Sequence, residues 1–139
     1  MKLRVFLIFT ILTGLLFLSS CIVTSYDYEV GISCAEFEQS NDRSGEFEVQ
    51  VGDKIRVELC SNPTTGFEWD YEMTVDNVVK EEDHDFEEPE GDDPGAAGIE
   101  TWTFEAVATG TTEVQMDYSQ SSEGGSQSQW TYNMTVTVQ

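Results

Sequence analysis

Few residues in this chain are equipped for covalent or metal chemistry. The single histidine, His84, lies inside an acidic run from Glu81 to Asp93. A Ser-His-Asp or Cys-His centre needs its histidine packed beside the nucleophile, and a histidine within a charge run reads instead as a solvated loop residue. There is no CxxC and no HExxH, so no zinc set, and no metal or cofactor is expected. The run holds nine carboxylates in residues 81–93 but lacks the ligand order of an EF-hand, and it reads as a solvated loop. These absences argue against an enzyme. What stands out suits binding: Cys60-Ser61-Asn62-Pro63-Thr64-Thr65-Gly66-Phe67-Glu68-Trp69. Asn62-Pro63 starts a turn, Pro63 fixes φ, Thr64 and Thr65 stiffen the tip, and Gly66 accepts positive φ on the way out. An uncharged wedge of this kind loses little entropy on entering another protein's groove.

Strands must hold that wedge. Ile55, Val57 and Leu59 alternate with Lys54, Arg56 and Glu58 before it. Phe67, Trp69, Tyr71, Met73 and Val75 alternate with Glu68, Asp70, Glu72, Thr74 and Asp76 after it. A period of two marks strands with one face on a core. The same period predicts strands over Val30–Phe37, Glu46–Val51, Thr101–Ala106, Val114–Tyr118 and Trp130–Val138, with a short one from Val78. Polar or glycine-containing turns separate them at Gln39–Gly45, Gly52-Asp53, Gly110 and Gly124-Gly125. No helical period or internal repeat is present. The pattern predicts an all-β fold, an immunoglobulin-like antiparallel β-sandwich of seven or eight strands.

The leading segment sets the compartment. Lys2 and Arg4 precede an apolar run from Val5 to Leu18, followed by Leu18-Ser19-Ser20-Cys21. This reads as a secretory signal over residues 1–20. Leu18 to Cys21 resembles the lipobox of prokaryotic lipoproteins, which makes Cys21 the lipidated residue and residues 21–28 a stalk ahead of a domain at 29–139. The expected location is extracytoplasmic, anchored at a membrane by lipid alone. Cys34 and Cys60 remain, and an even pair in an exported domain reads as a disulfide worth on the order of 3 kcal/mol.

Charge narrows the partners. All 27 acidic residues lie beyond the leading segment, against Arg43, Lys54, Arg56 and Lys80, so that part carries 4 − 27 = −23. Phosphates are repelled, which excludes nucleic acid and leaves anionic headgroups unattractive. The same self-repulsion favours a monomer.

Three segments carry a family resemblance: Asn62 to Phe67; Pro94-Gly95-Ala96-Ala97-Gly98 before Trp102; and Met116-Asp117-Tyr118-Ser119 through Glu123-Gly124-Gly125 to Trp130. Their order and spacing resemble the chagasin-type inhibitors of papain-like cysteine proteases, over nearly the whole chain from Cys34 to Val138. The resemblance implies a sandwich whose three loops at one end close on the protease, by reversible occlusion without a covalent bond. Asn62, Pro63, Thr64, Thr65, Gly66 and Phe67 would enter the catalytic cleft, with Thr65 nearest the protease's cysteine and histidine. Gly95, Ala96, Ala97 and Gly98, and the Ser119–Gly125 loop with Tyr118, Gln120, Ser121 and Ser122, would grip the walls. The family's third loop usually carries Arg-Pro-Trp, and Gln120-Ser121-Ser122 stands in its place. Arg and Trp are interface anchors, so their loss costs on the order of 2 kcal/mol of binding. Two other readings stay open on sequence alone: a surface-exposed immunoglobulin-like binding or adhesion module, and a calcium- or salt-stabilised surface protein.

Overall fold

The computed structural model describes residues 25–89, 91, 93–122 and 125–139. The signal segment 1–20, the lipidation candidate Cys21, Glu90 and Asp92 of the acidic run, and Glu123-Gly124 lie outside the described residues. Eight strands form two four-stranded sheets: β1 (Tyr28–Ile32), β2 (Asp42–Val49), β3 (Lys54–Ser61), β4 (Glu68–Met73), β5 (Val79–Glu87), β6 (Gly98–Ala106), β7 (Gly110–Ser122) and β8 (Gly125–Val138). One sheet runs β1-β3-β6-β5 and the other β2-β8-β7-β4.

Alternation fixes the core. Ile55, Val57 and Leu59 of β3 are fully buried, beside Trp102 and Phe104 of β6 in their own sheet and in one core with Val114, Met116, Met134 and Val136 of the other. Each such side chain contributes about 1.5–3 kcal/mol by leaving water. Between β4 and β5, Thr112 bonds both backbone groups of Val75, receiving from its N–H at 3.1 Å and donating to its carbonyl at 2.9 Å.

Every connection reverses the chain, so odd-numbered strands run one way and even-numbered strands the other. Neighbours of unlike parity are antiparallel: β3–β6, β5–β6, β4–β7 and β7–β8. The two edges join strands of like parity, so β1–β3 and β2–β8 are parallel. The sandwich is as expected, but its sheets are mixed rather than wholly antiparallel.

Two local expectations are corrected. The first strand ends at Ile32, and residues Cys34–Gln39 form a helix, α1. Ser33 caps it: its hydroxyl accepts from the Glu36 N–H at 3.4 Å, and the Ser33 N–H donates to the Glu36 carboxylate at 2.9 Å. Hydrogen bonding from Ser33 holds the Glu36 carboxyl below its usual range. This Ser-x-x-Glu box was readable in the sequence. The second correction is larger. The acidic run is not a loop up to Glu87, because β5 continues through it as an edge strand paired with β6, irregular between Glu81 and Asp83. An edge strand leaves room for its carboxylates in water, and charges there oppose pairing with other chains. Lys54–Glu82 at 2.7 Å and Lys80–Glu105 at 2.9 Å stitch it to its sheet.

Candidate functional site

Parity also decides which loops meet. The β3–β4, β5–β6 and β7–β8 connections all lie at one end of the sandwich, with α1; the β2–β3, β4–β5 and β6–β7 turns lie at the other. The three segments singled out in the sequence therefore share an end.

The first of them is a single 3-10 turn over Pro63–Thr65, with Gly66 closing it at φ 80°. The left-handed conformation there is the one glycine adopts without strain. Asn62 organises the turn. Its side-chain oxygen accepts from the Thr64 N–H at 3.2 Å and the Thr64 hydroxyl at 2.6 Å. The Thr65 hydroxyl donates to the Asn62 carbonyl at 2.7 Å. Both threonine hydroxyls are thus engaged within the turn. Pro63, Thr64, Thr65 and Gly66 are exposed and uncharged. A partner covering them would strip no unpaired donor of its water.

The neighbouring segments brace this tip. The Asn62 amide donates to the Gly95 carbonyl at 2.7 Å, tying the first segment to the second. The Gln120 amide reaches the Thr65 carbonyl at 3.4 Å, a long bond from the third. The Tyr118 hydroxyl accepts the Asn62 backbone N–H at 2.8 Å. Beneath the turn, Tyr118 sits among Phe67, Trp69 and Trp130 with ring centroids 5.1–5.4 Å apart. Phe37 of α1 stacks on Trp130 at 5.0 Å. The Trp69 indole donates to the Cys60 carbonyl at 2.9 Å, and the expected Cys34–Cys60 disulfide is present with Cα atoms 5.1 Å apart. A bridge at the foot of the turn restrains it where β3 ends.

Not every residue expected at the surface is there. Tyr118 is buried to 1% exposure and has no face to offer a partner; it supports the turn from below. Gly98 is also buried, in β6 opposite Ser61, where a Cβ would strike the Glu87 carbonyl and the Phe86 ring. Gly95, at φ 81°, is exposed, and Ala96 and Ala97 are half-buried. The third segment is not a loop at Ser119–Ser122: β7 extends to Ser122 and β8 starts at Gly125, so Gln120, Ser121 and Ser122 lie on a hairpin arm. Pairing along the ladder carries the polar residues out as strand beyond the core.

Two features of this end escaped the sequence reading. Ile99 stands exposed beside Ala97 and Gly98, over a hollow of about 330 Å³ lined also by Cys34, Cys60 and Leu59. Its place among outward-facing β6 positions was the available signal. His84 is exposed as expected but does not lie in a loop: it sits in β5, stacked 3.5 Å from Trp102, with Nε2 2.8 Å from Glu100. Among the described residues no three His, Cys, Asp or Glu side chains converge as a metal set.

Comparison with known proteins agrees with this architecture. The structure of a cysteine protease inhibitor, EhICP2, from Entamoeba histolytica, matches with TM-score 0.60 at 18% identity, over 83% of this chain and 100% of its own. PbICP-C, solved in complex with falcipain-2, matches with TM-score 0.55 at 15% identity, over 80% of this chain and 97% of its own. At these identities the likeness shows the fold. No curated protein matches the sequence. The model of the family described as chagasin family peptidase inhibitor I42 matches residues 48–136, which include all three segments at the shared end. The chain therefore belongs to the chagasin family of peptidase inhibitors.

Proposed function

We propose that this protein is a reversible, non-covalent inhibitor of papain-like cysteine proteases, with the turn from Asn62 to Gly66 entering the catalytic cleft. The observation that carries the reading is the internally bonded tip: exposed, uncharged, and tied to the Gly95 carbonyl and the Tyr118 hydroxyl. Such a tip is organised before it meets a target, so little is lost on docking. Membership of a peptidase inhibitor family supports it, as does the complex of PbICP-C with falcipain-2. Thr65 approaches the catalytic pair, presenting its methyl because its hydroxyl, N–H and carbonyl are already engaged. Gly95, Ala96 and Ala97 on one side and Gln120 with the Ser121-Ser122 arm on the other flank the cleft. The protein is no enzyme in this reading, needs no cofactor, and acts as a monomer.

The same proposal includes export and anchoring. Residues 1–20 are a signal peptide, Cys21 carries lipid, and the sandwich works outside the cytoplasm at a membrane surface. The stalk shortens, however: Asp27 is already docked, its N–H on the Lys54 carbonyl and its carboxylate on the Lys54 N–H, both at 2.9 Å.

Titration of papain with the disulfide-bonded protein tests the core reading. Stoichiometric loss of activity, with the inhibitor recovered uncut, supports it. A folded protein that leaves papain active at low and high salt returns the assignment to another protease class or to a binding module.

A further inference from the structure

The chain joins the sandwich at the end opposite the turn. β1 runs parallel to β3, with Tyr28 opposite Ile55 and Ile32 opposite Leu59, so the start of β1 lies beside the start of β3. The turn follows the far end of β3, eight residues on, at about 3.3 Å per residue or roughly 25 Å away. The junction is held rather than loose. Asp27 is clamped to Lys54, and the Arg56 guanidinium lies 5.0 Å over the Tyr26 ring while donating to its hydroxyl at 3.3 Å. Only four residues separate Cys21 from Tyr26, a reach of at most about 18 Å.

The exposed apolar side chains follow the same polarity. Of five large hydrophobics exposed among the described residues, Tyr28, Val51 and Val75 lie at the junction end and Ile99 at the turn end, while the Tyr26 ring leans onto the outer face of its sheet beside Arg56. Tyrosine favours the membrane–water boundary, where its ring and hydroxyl meet different surroundings. Two of the acids at that end are occupied with backbone donors: Asp27 with the Lys54 N–H, and Asp53 with the Gln50 N–H at 2.8 Å.

We infer that the junction end, with Tyr28, Val51 and Val75, rests on the lipid surface and that the Asn62–Gly66 turn projects away from it. This rests on the lipid-anchor reading of Cys21. It defines the kind of target the inhibitor meets: a protease arriving from the surrounding solvent, not one whose cleft lies against the same bilayer.

The test uses the full lipidated chain in phosphatidylcholine vesicles with a headgroup-linked nitroxide. A fluorophore is placed by Val51→Cys in one sample and by Thr64→Cys in another; both positions are exposed, and melting curves check the fold. The inference expects the Val51 label to be quenched several-fold more than the Thr64 label. It also expects the unlabelled chain to inhibit papain equally on vesicles and dispersed in detergent. Equal quenching of the two labels overturns it, as does a chain that stays in the supernatant. Loss of papain inhibition in detergent as well would instead count against the inhibitor reading and leave the quenching result to decide orientation.

Discussion

Asn62 is the residue whose loss should separate a preorganised turn from a floppy one. Replacing it by alanine removes three side-chain hydrogen bonds, two from Thr64 and one to the Gly95 carbonyl. All three are open to water, so each contributes about 0.5 kcal/mol, at the low end for a hydrogen bond, and about 1.5 kcal/mol together. The Asn62 backbone stays bonded to Tyr118, so the core beneath is unaffected and the fold persists. If the turn must be ordered to enter the cleft, the whole loss appears in binding, as an inhibition constant raised about tenfold. Asn62→Ser keeps a capping oxygen for the Thr64 N–H but has no amide for Gly95, and should fall between the two. The assay is the inhibition constant for papain, beside circular dichroism and thermal melting of each variant. An Asn62→Ala protein that is folded and inhibits as well as the original would refute the preorganisation argument.

Tyr118→Phe keeps the aromatic stack but orphans the Asn62 N–H, which should cost about 1–2 kcal/mol and several degrees in melting temperature. Removing the disulfide with Cys34→Ser and Cys60→Ser frees a span of 26 residues and should cost about 3 kcal/mol, read by urea denaturation; no change would mean the bridge is redundant. Burial pushes the hydroxyls of Tyr71 and Tyr132 up to about 12, that of Tyr71 helped by its hydrogen bond to Glu81. Both hold their protons more firmly folded than unfolded, so their contribution is whole below about pH 10 and disappears as pH climbs through about 12. Melting at rising pH should show that fall, and Tyr132→Phe should reduce it. A Cβ on Gly45 would sit 2.6 Å from the Tyr132 hydroxyl, so Gly45→Ala should destabilise in the native background and less so in Tyr132→Phe, a coupling visible in a double-mutant cycle.

The sandwich was legible because alternation is a local property. Ile55, Val57 and Leu59 must face one way once the backbone is extended, and that is where the core lies. The Asn62–Gly66 turn was legible for the same reason: Pro63 and Gly66 set their own dihedrals, and the Asn62 side-chain oxygen that caps the turn reaches only two residues ahead. The α1 helix was missed although its Ser33 and Glu36 cap is equally local, because the apolar residues of Val30–Phe37 read as strand. Other features lay beyond any local signal. The run from Glu81 to Glu87 is strand only because β6 supplies hydrogen-bond partners, and composition argues the other way. Tyr118 and Gly98 belong to the family's segments in sequence, yet side-chain packing buries both. Sequence alone determined the chemistry of the tip and the strands that carry it, since both follow from dihedral preference and period. Tertiary structure alone decided which loops share an end, what braces the turn, and that the chain joins at the opposite end. Those depend on strand order and parity, which pairing across distant residues sets.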